Sequence, residues 1–264
     1  MHICFITNKY PNRVEPNVIV FLKELVEAVS RQGIKCTVIC PIQINLYPEL
    51  LKLPRMRVDK VDEAEIEIYF PRYIGMGMTE FLGYNPSRIT TCLFEKAVRS
   101  VLNNLSEKPD CLYGHFVTPA AIVCARLGRK YGIPSFFAYG EATYSTIDAY
   151  GREKVKEELR SVSGVIAVST QNKNMISDFV PENIVKVFPN SIDNSLFYPR
   201  SKAEGRKKYG ISPEEFVVSF VGSFDERKGI NRLCEAVDRF NGEVKLVCAG
   251  QGALVPNSNN CLFQ

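Results

Sequence analysis

Short apolar, β-branched runs alternate with stretches of helical periodicity along almost the whole chain. A regular βα rhythm of this kind folds into a parallel sheet covered by helices. Residues 2–7 (HICFIT) read as a first buried strand. After a loop carrying Pro11 and Pro16, Val18, Phe21, Leu22, Leu25 and Val29 recur at helical spacing. Gly33 stops that helix, and residues 35–40 form a second strand closed by Pro41. A βαβ opening makes a right-handed parallel crossover. Helical patterns over 86–105, 119–131 and 155–159 then alternate with strands at 111–113, 135–138, 165–168 and 184–188. Ser169 caps a further helix running to Phe179. The expected class is α/β with a doubly wound sheet.

Residues 42–85 break the rhythm. A strand is expected at 65–70, but Leu46, Leu50, Leu51, Leu53, Met56, Met76, Met78, Phe81 and Leu82 lie scattered among prolines and cations. Two readings stay open. The segment is a connection covering the core, or it is an acceptor groove or membrane-facing lip, where apolar side chains beside Lys52, Arg55 and Arg57 suit anionic lipid. Further on, the turn-rich stretch 189–199 separates a first domain, 1–195, from a second, 196–264. The second holds a basic helix at 200–209, a strand at 216–221, a helix at 230–240 and a strand at 244–249. A complete α/β domain takes roughly 100–150 residues, so this is expected to be the beginning of one.

Charge narrows the partners. The net charge of +4 permits attraction to anionic substrates or acidic lipid but does not point to nucleic acid. Two histidines argue against a histidine-rich metal site. Cys36 and Cys40 flank Val38 on one alternating strand face, which reads as buried strand rather than metal ligation. The nine cysteines are odd in number and scattered, no secretory leader is read at the start, and no apolar run reaches the roughly 20 residues of a spanning helix. The expectation is a reducing, cytoplasmic location, with any membrane contact peripheral and from the inner face.

One stretch carries chemistry on its own terms. The run from Phe216 to Val221 stops at Gly222, and the turn Ser223-Phe224-Asp225-Glu226 delivers Arg227, Lys228 and Gly229 into a helical pattern. Backbone N–H groups and the positive dipole end at a helix start favour an anion. Lys228 adds a point charge and Arg227 a planar fork. The competing reading is a solvated cap in which Asp225 and Glu226 pair with the two cations. Gly250-Gln251-Gly252 follows the next strand and places a second backbone approach on the same sheet edge. No GxGxxG follows the first strand and no GxxxxGK[ST] occurs, so nicotinamide and P-loop fingerprints are missing.

The order of motifs resembles a known family. It comprises the second strand from Gly33 to Pro41, Tyr113-Gly114-His115-Phe116, Val165-Ile166-Ala167-Val168-Ser169, and Val187-Phe188-Pro189-Asn190-Ser191-Ile192-Asp193 with Phe197 and Pro199. Val221-Gly222 with Arg227-Lys228-Gly229, and Ala249-Gly250-Gln251-Gly252, complete it. In this order they resemble the GT-B family of retaining, nucleotide-sugar-dependent glycosyltransferases, which includes glycogen synthases and bacterial mannosyl- and glucosyltransferases. The resemblance implies a Rossmann-like N-terminal domain for a glycan or lipid-linked acceptor and a second Rossmann-like domain for the nucleotide-sugar. It implies no cofactor and no metal, because cationic side chains and helix N-termini stabilise the departing diphosphate. Lys228 matches the diphosphate-binding lysine, and Gly222, Ser223, Arg227, Gly250 and Gly252 complete the expected donor corner.

Three departures qualify the match. Ser223 stands where the family often has arginine, and Arg227 is the candidate substitute. Tyr139-Gly140-Glu141 stands where a His-Gly pair is usual, which makes Tyr139 and Glu141 catalytic-site candidates for binding sugar hydroxyls and the neighbouring His115 the candidate to supply an imidazole, the other reading of His115 being a structural loop histidine. The family's pair of donor-site glutamates would lie beyond Gly252 and is not found before Gln264. The expectation is therefore a glycosyltransferase present in truncated form, its oligomeric state left open. The alternative is a non-catalytic acceptor-binding or scaffolding module derived from one. A Rossmann-like epimerase or dehydrogenase is the distant third reading, opposed by the missing glycine fingerprint after Thr7.

Overall fold

The structure, a computed structural model, describes residues 1–76, 85–240, 242–258 and 261–263. It divides into two compact units, Met1–Ser191 and Ile192–Gln264.

The first unit opens with β1 (His2–Ile6), α1 (Val20–Arg31) and β2 (Lys35–Ile39). Next come β3 (Ile42–Gln43), β4 (Met56–Val61), β5 (Ala64–Tyr69) and β6 (Arg72–Tyr73). The α/β rhythm then resumes with α2 (Pro86–Leu102), β7 (Cys111–His115), α3 (Ile122–Tyr131) and β8 (Ser135–Tyr139). It ends with α4 (Ser145–Tyr150), α5 (Arg152–Glu158), β9 (Gly164–Ala167), α6 (Thr170–Ile176) and β10 (Val185–Val187). The main sheet has the order β10-β9-β8-β7-β1-β2-β5-β4. Its pairs are parallel except β4 with β5, which form an antiparallel hairpin across Asp62 and Glu63. The chain builds outward from β1 in both directions, so the strand order reverses between β1 and β7. Ligands of open α/β sheets bind at the carboxyl ends of strands at such a switch point.

Burial follows from side-chain alternation. Phe5, Cys36, Val38, Ile66 and Ile68 pack with Leu22 and Val26 of α1. Cys4, Ile6 and Ile39 point the other way onto Phe94 and Val98 of α2 and Val123 and Leu127 of α3. Phe137, Tyr139 and Ala167 pack with Ile147, Tyr150, Val155 and Ile176 of α4 to α6. Each Val, Leu, Ile or Phe among them, fully buried, contributes about 1.5–3 kcal/mol. Cys36, Val38 and Cys40 share one core, as buried strand residues should.

Two sequence expectations change. In α1 the periodicity holds but the buried face is Leu22, Val26 and Ser30, while Phe21 and Leu25 are 44% and 37% exposed. In 42–76, Leu50 and Leu53 are core residues whereas Leu46, Leu51 and Met76 stand exposed. Met78, Phe81 and Leu82 lie outside the described residues. Arg57 is not a free cation, because it pairs with Asp59 at 3.0 Å and donates to the Pro11 carbonyl at 2.9 Å. Helix starts are set by caps. Asn85 accepts from the Arg88 N–H ahead of Pro86, and the Ser169 hydroxyl accepts from the Asn172 N–H.

The second unit runs α7 (Lys202–Lys208), β11 (Phe216–Val221), α8 (Ile230–Asp238), β12 (Val244–Ala249) and β13 (Cys261–Phe263). Its strands form a parallel sheet in the order β11-β12-β13. Phe224, Ile230, Cys234, Val237, Leu246 and Cys248 make its core.

Candidate functional site

In the first unit, a cavity of about 320 Å³ opens beyond the carboxyl ends of β1, β2, β5 and β7. Asn8 and Tyr10 follow β1, Gln43 follows β2, Tyr73 follows β5 and Thr118 follows β7. Ser87, Thr90 and Thr91 of α2 and Thr146 of α4 close it. The Thr146 hydroxyl is buried and has no hydrogen-bond partner among the described residues. Lys9, also lining the space, pairs with Glu15 at 3.8 Å and sits 5.1 Å from the Tyr47 ring centroid. Hydroxyls, amides and tyrosine rings around a cavity with one such ion pair suit a hydroxylated ligand more than a strongly charged one.

The three sequence candidates cluster at the same sheet edge without lining this cavity. The register pairs His115 with Ala138, which puts the His115 side chain on the α1 face and Tyr139 on the opposite one. Tyr139 is buried among α4 to α6 residues, and its hydroxyl has no partner among the described residues. Burial pushes that hydroxyl above the usual tyrosine range, with the Glu141 carboxylate adding to the effect. The sheet thus separates His115 from Tyr139.

His115 stands in an aromatic box. Its ring centroid lies 4.5 Å from that of Phe116, edge-to-face, 5.3 Å from Phe21 of α1 and 6.2 Å from Tyr113. Burial lowers its pKa to about 4, so the imidazole is neutral at physiological pH. Its Nδ1 is buried with no partner among the described residues. A proton there would be an unsatisfied donor, which favours the tautomer protonated on Nε2.

The backbone beside it is unusual. Phe116 has φ 70° and ψ 163°, a region essentially reserved for glycine, which costs a bulky residue on the order of 1–3 kcal/mol. Three hydrogen bonds hold it. The Phe116 N–H donates to the Ala138 carbonyl, the Phe116 carbonyl accepts from the Ala121 N–H, and the Val117 N–H donates to Glu141 Oε1 at 2.7 Å. Glu141 Oε2 also accepts from the Gly140 N–H at 3.1 Å. Burial raises the Glu141 pKa, and these backbone donors oppose the rise. Gly114 lets the chain fold back here, because a Cβ on it would come within 2.8 Å of the Ala121 Cα. None of this strain is readable in Gly114-His115-Phe116, where the flexible residue is not the strained one.

In the second unit, the turn after β11 has the form that the sequence suggests. Asp225 Oδ1 accepts from the Lys228 N–H at 2.8 Å and caps the single turn Glu226–Lys228. Gly229, at φ 77°, then turns the chain into α8. Arg227 touches Asp225 only at 4.0 Å and is 75% exposed, whereas the Lys228 ammonium makes no ion pair among the described residues. The Gly222 N–H is bonded to the Ala249 carbonyl and that of Phe224 to the Gln251 carbonyl. What remains for an anion is the first turn of α8 with the side chains of Ser223, Arg227 and Lys228. Gly250 and Gly252 serve packing: a Cβ on Gly250 would lie 1.9 Å from the Gly222 carbonyl oxygen, and one on Gly252 would lie 2.2 Å from that of Phe224.

Residues 18–196 match the sequence model of the family described as Glycosyltransferase Family 4. Over 265 residues the chain is 26% identical to the Bacillus subtilis (strain 168) protein TuaC, named as a teichuronic acid biosynthesis glycosyltransferase, covering 96% of this chain and 66% of that one. Over 97 residues it is 34% identical to an alpha-maltose-1-phosphate synthase of Mycobacterium tuberculosis, covering 34% of this chain and 25% of the relative. Among solved structures, the fold is similar to that of Anabaena HepE in complex with UDP and glucose. The TM-score is 0.57 at 15% identity, over 96% of this chain and 61% of HepE. It is also similar to the calicheamicin glycosyltransferase CalG4, with a TM-score of 0.55 at 13% identity, over 100% of this chain and 70% of that one. The fold is of the GT-B kind. The chain spans just under two thirds of TuaC and a quarter of the synthase.

Proposed function

We propose, from the premise that this chain belongs to Glycosyltransferase Family 4, that it takes part in moving a sugar from a nucleotide-sugar to a hydroxyl of a glycan or lipid-linked acceptor. The bond from the anomeric carbon to the diphosphate oxygen breaks, and a bond to the acceptor oxygen forms. The hydroxyl proton leaves with the nucleoside diphosphate. The donor's configuration is retained in this reading, as the family resemblance implies.

The observation that carries it is the turn after β11, where Lys228 directly precedes Gly229 and α8 and its ammonium makes no ion pair among the described residues. Lys228 and the helix start take up the diphosphate charge, with Arg227 and Ser223 reaching the same oxygens, so that no metal is required. The acceptor is held at the carboxyl edge of the first unit's sheet, where the cavity offers hydroxyls and tyrosine rings. His115, at the same sheet edge but outside that cavity, has a neutral imidazole whose Nε2–H is suited to donate a hydrogen bond to a sugar hydroxyl, while its lowered pKa and buried Nδ1 make it a poor proton acceptor. Tyr139, on the other face of the sheet, is left out of these steps. The name of TuaC and the UDP and glucose bound to HepE support a nucleotide-sugar donor and a polysaccharide-type acceptor. Exposed Leu46, Leu51, Ile74 and Met76, together with Lys52 and Arg55, support a lip that meets anionic lipid when the acceptor is membrane-borne.

The test is isothermal titration of UDP, GDP and ADP into this chain. One of them binds, and Lys228→Ala weakens it about tenfold to a hundredfold, since one charge-assisted hydrogen bond is worth about 1.5–3 kcal/mol. The circular-dichroism spectrum stays unchanged, because the Lys228 side chain is exposed. No binding of any of the three at millimolar concentration overturns the donor-side reading.

A further inference from the structure

Glu141 lies close enough to the site to be taken for a reacting carboxylate, but both its oxygens are already engaged. Oε1 accepts from the Val117 N–H at 2.7 Å, on the turn after β7, and Oε2 accepts from the Gly140 N–H at 3.1 Å, on the turn after β8. Its own carbonyl accepts from Asn172 Nδ2 at 2.9 Å, which ties the same residue to the start of α6. One side chain therefore joins two neighbouring strand ends at the switch-point side of the sheet.

The residue between His115 and Val117 explains why such a clamp is needed. Phe116 holds a backbone conformation that glycine would normally occupy, and its ring is the nearest of the three packed against the imidazole. A strained residue persists only where its surroundings over-determine it. The Val117 N–H bond to Glu141 is the one of its three restraints made by a side chain; the other two are backbone to backbone.

We propose that Glu141 is a positioning residue: by clamping the Val117 and Gly140 N–H groups it fixes Phe116, and through Phe116 the His115 imidazole in its aromatic box. The step from positioning to function rests on the reading of His115 given above. The positioning itself can be tested without any substrate, so the two can fail separately.

The sequence contains two histidines, which makes imidazole NMR decisive. The His2 signal is assigned by its loss in His2→Gln. In the unaltered chain the His115 ring titrates at about 4. In Glu141→Ala its midpoint rises toward the ordinary 6.5, by at least about one unit or tenfold in proton affinity, as the ring leaves the box. Glu141→Gln, which keeps an oxygen for the Val117 N–H, restores most of the low midpoint. A folded Glu141→Ala whose His115 midpoint and linewidth match the parent overturns the proposal.

Should that variant not fold, the unaltered chain supplies the answer. The Val117 and Gly140 amide protons then shift together along the Glu141 carboxyl titration, which burial places above the usual glutamate value, and the His115 ring, beyond its own protonation near 4, shows a second displacement on that same curve. The titratable neighbour Tyr139 has its hydroxyl pushed upward and stays protonated throughout that range. A Val117 amide insensitive to that titration overturns the proposal equally.

Discussion

Single glycines decide how the turn after β11 is built. Gly250 and Gly252 are legible in the sequence as a glycine pair after a strand, and a pair of that kind invites the reading of a cradle for an anion. The structure gives each a packing reason, because the turns after β11 and β12 lie backbone against backbone. Gly250→Ala sets a Cβ against the Gly222 carbonyl, and no side chain can swing away to relieve it. The cost is expected to be on the order of 3 kcal/mol, seen as lost amide protection across β11 and β12 in hydrogen exchange. Gly205, within α7, is the contrast: a Cβ there meets nothing within 4 Å. Gly205→Ala should firm α7 by about 0.8–1 kcal/mol, slowing exchange of its amides. Equal effects at the two glycines would mean that close approach is not what the Gly250 position requires.

At the level of elements, one arginine joins four helices. Arg126 of α3 donates to both oxygens of Glu158 at 2.6 and 2.9 Å at the end of α5, to Glu95 of α2 at 3.0 Å and to the Tyr150 hydroxyl of α4 at 3.0 Å. Burial alone would raise the Glu158 pKa, but Arg126, helped by Lys154 and Arg129, outweighs it and holds the group below its ordinary value. A depressed folded pKa means stability that is present above the unfolded-state value and is lost as pH falls through the folded one. Glu158→Ala should cost about 3–5 kcal/mol near neutrality, because it leaves a partly buried guanidinium short of its main partner. In thermal melts, the variant's acid-side loss of stability should be shallower than the parent's; parallel curves would remove Glu158 from the acid response. The partners stand 24 to 32 residues apart in sequence, beyond the reach of any periodicity argument. By contrast, β1, β2, β5 and β7 to β12 were legible because apolar runs and caps are local signals. The edge strand β4 was not, because Met56, Val58 and Val61 are interleaved with Arg57, Asp59 and Lys60 and only Val61 is buried, so no apolar run marks it. The side of the sheet each candidate would face was legible only once the pairing register was known. That register is what parts His115 from Tyr139.

For the molecule as a whole, a net charge of +4 is too small to drive membrane binding, so the distribution of charge has to do it. No helix among the described residues is long and apolar enough to cross a membrane. Around Pro48–Lys52, however, Lys52 and Arg55 make no ion pair among the described residues, and Arg72 is close enough to Arg55 for the two to repel. Leu46 and Leu51 on the same segment, and Ile74 and Met76 after β6, are each more than half exposed. Apolar side chains that can enter the headgroup region next to unpaired cations fit an anionic lipid surface, and the cavity lies against the same segment through Leu46 and Leu50. The chain should therefore co-sediment with vesicles of mixed phosphatidylglycerol and phosphatidylcholine but not with phosphatidylcholine alone. Each cation near the surface is worth about 1 kcal/mol, so Lys52→Gln with Arg55→Gln should reduce partitioning roughly thirtyfold. High salt should do the same, since screening shortens the reach of both charges. Leu51→Ser should weaken binding in a manner that salt does not mimic, because it removes buried apolar area rather than charge. Equal sedimentation with neutral vesicles, or no effect of the paired Lys52 and Arg55 changes, would mean that these two cations do not direct the chain to anionic lipid.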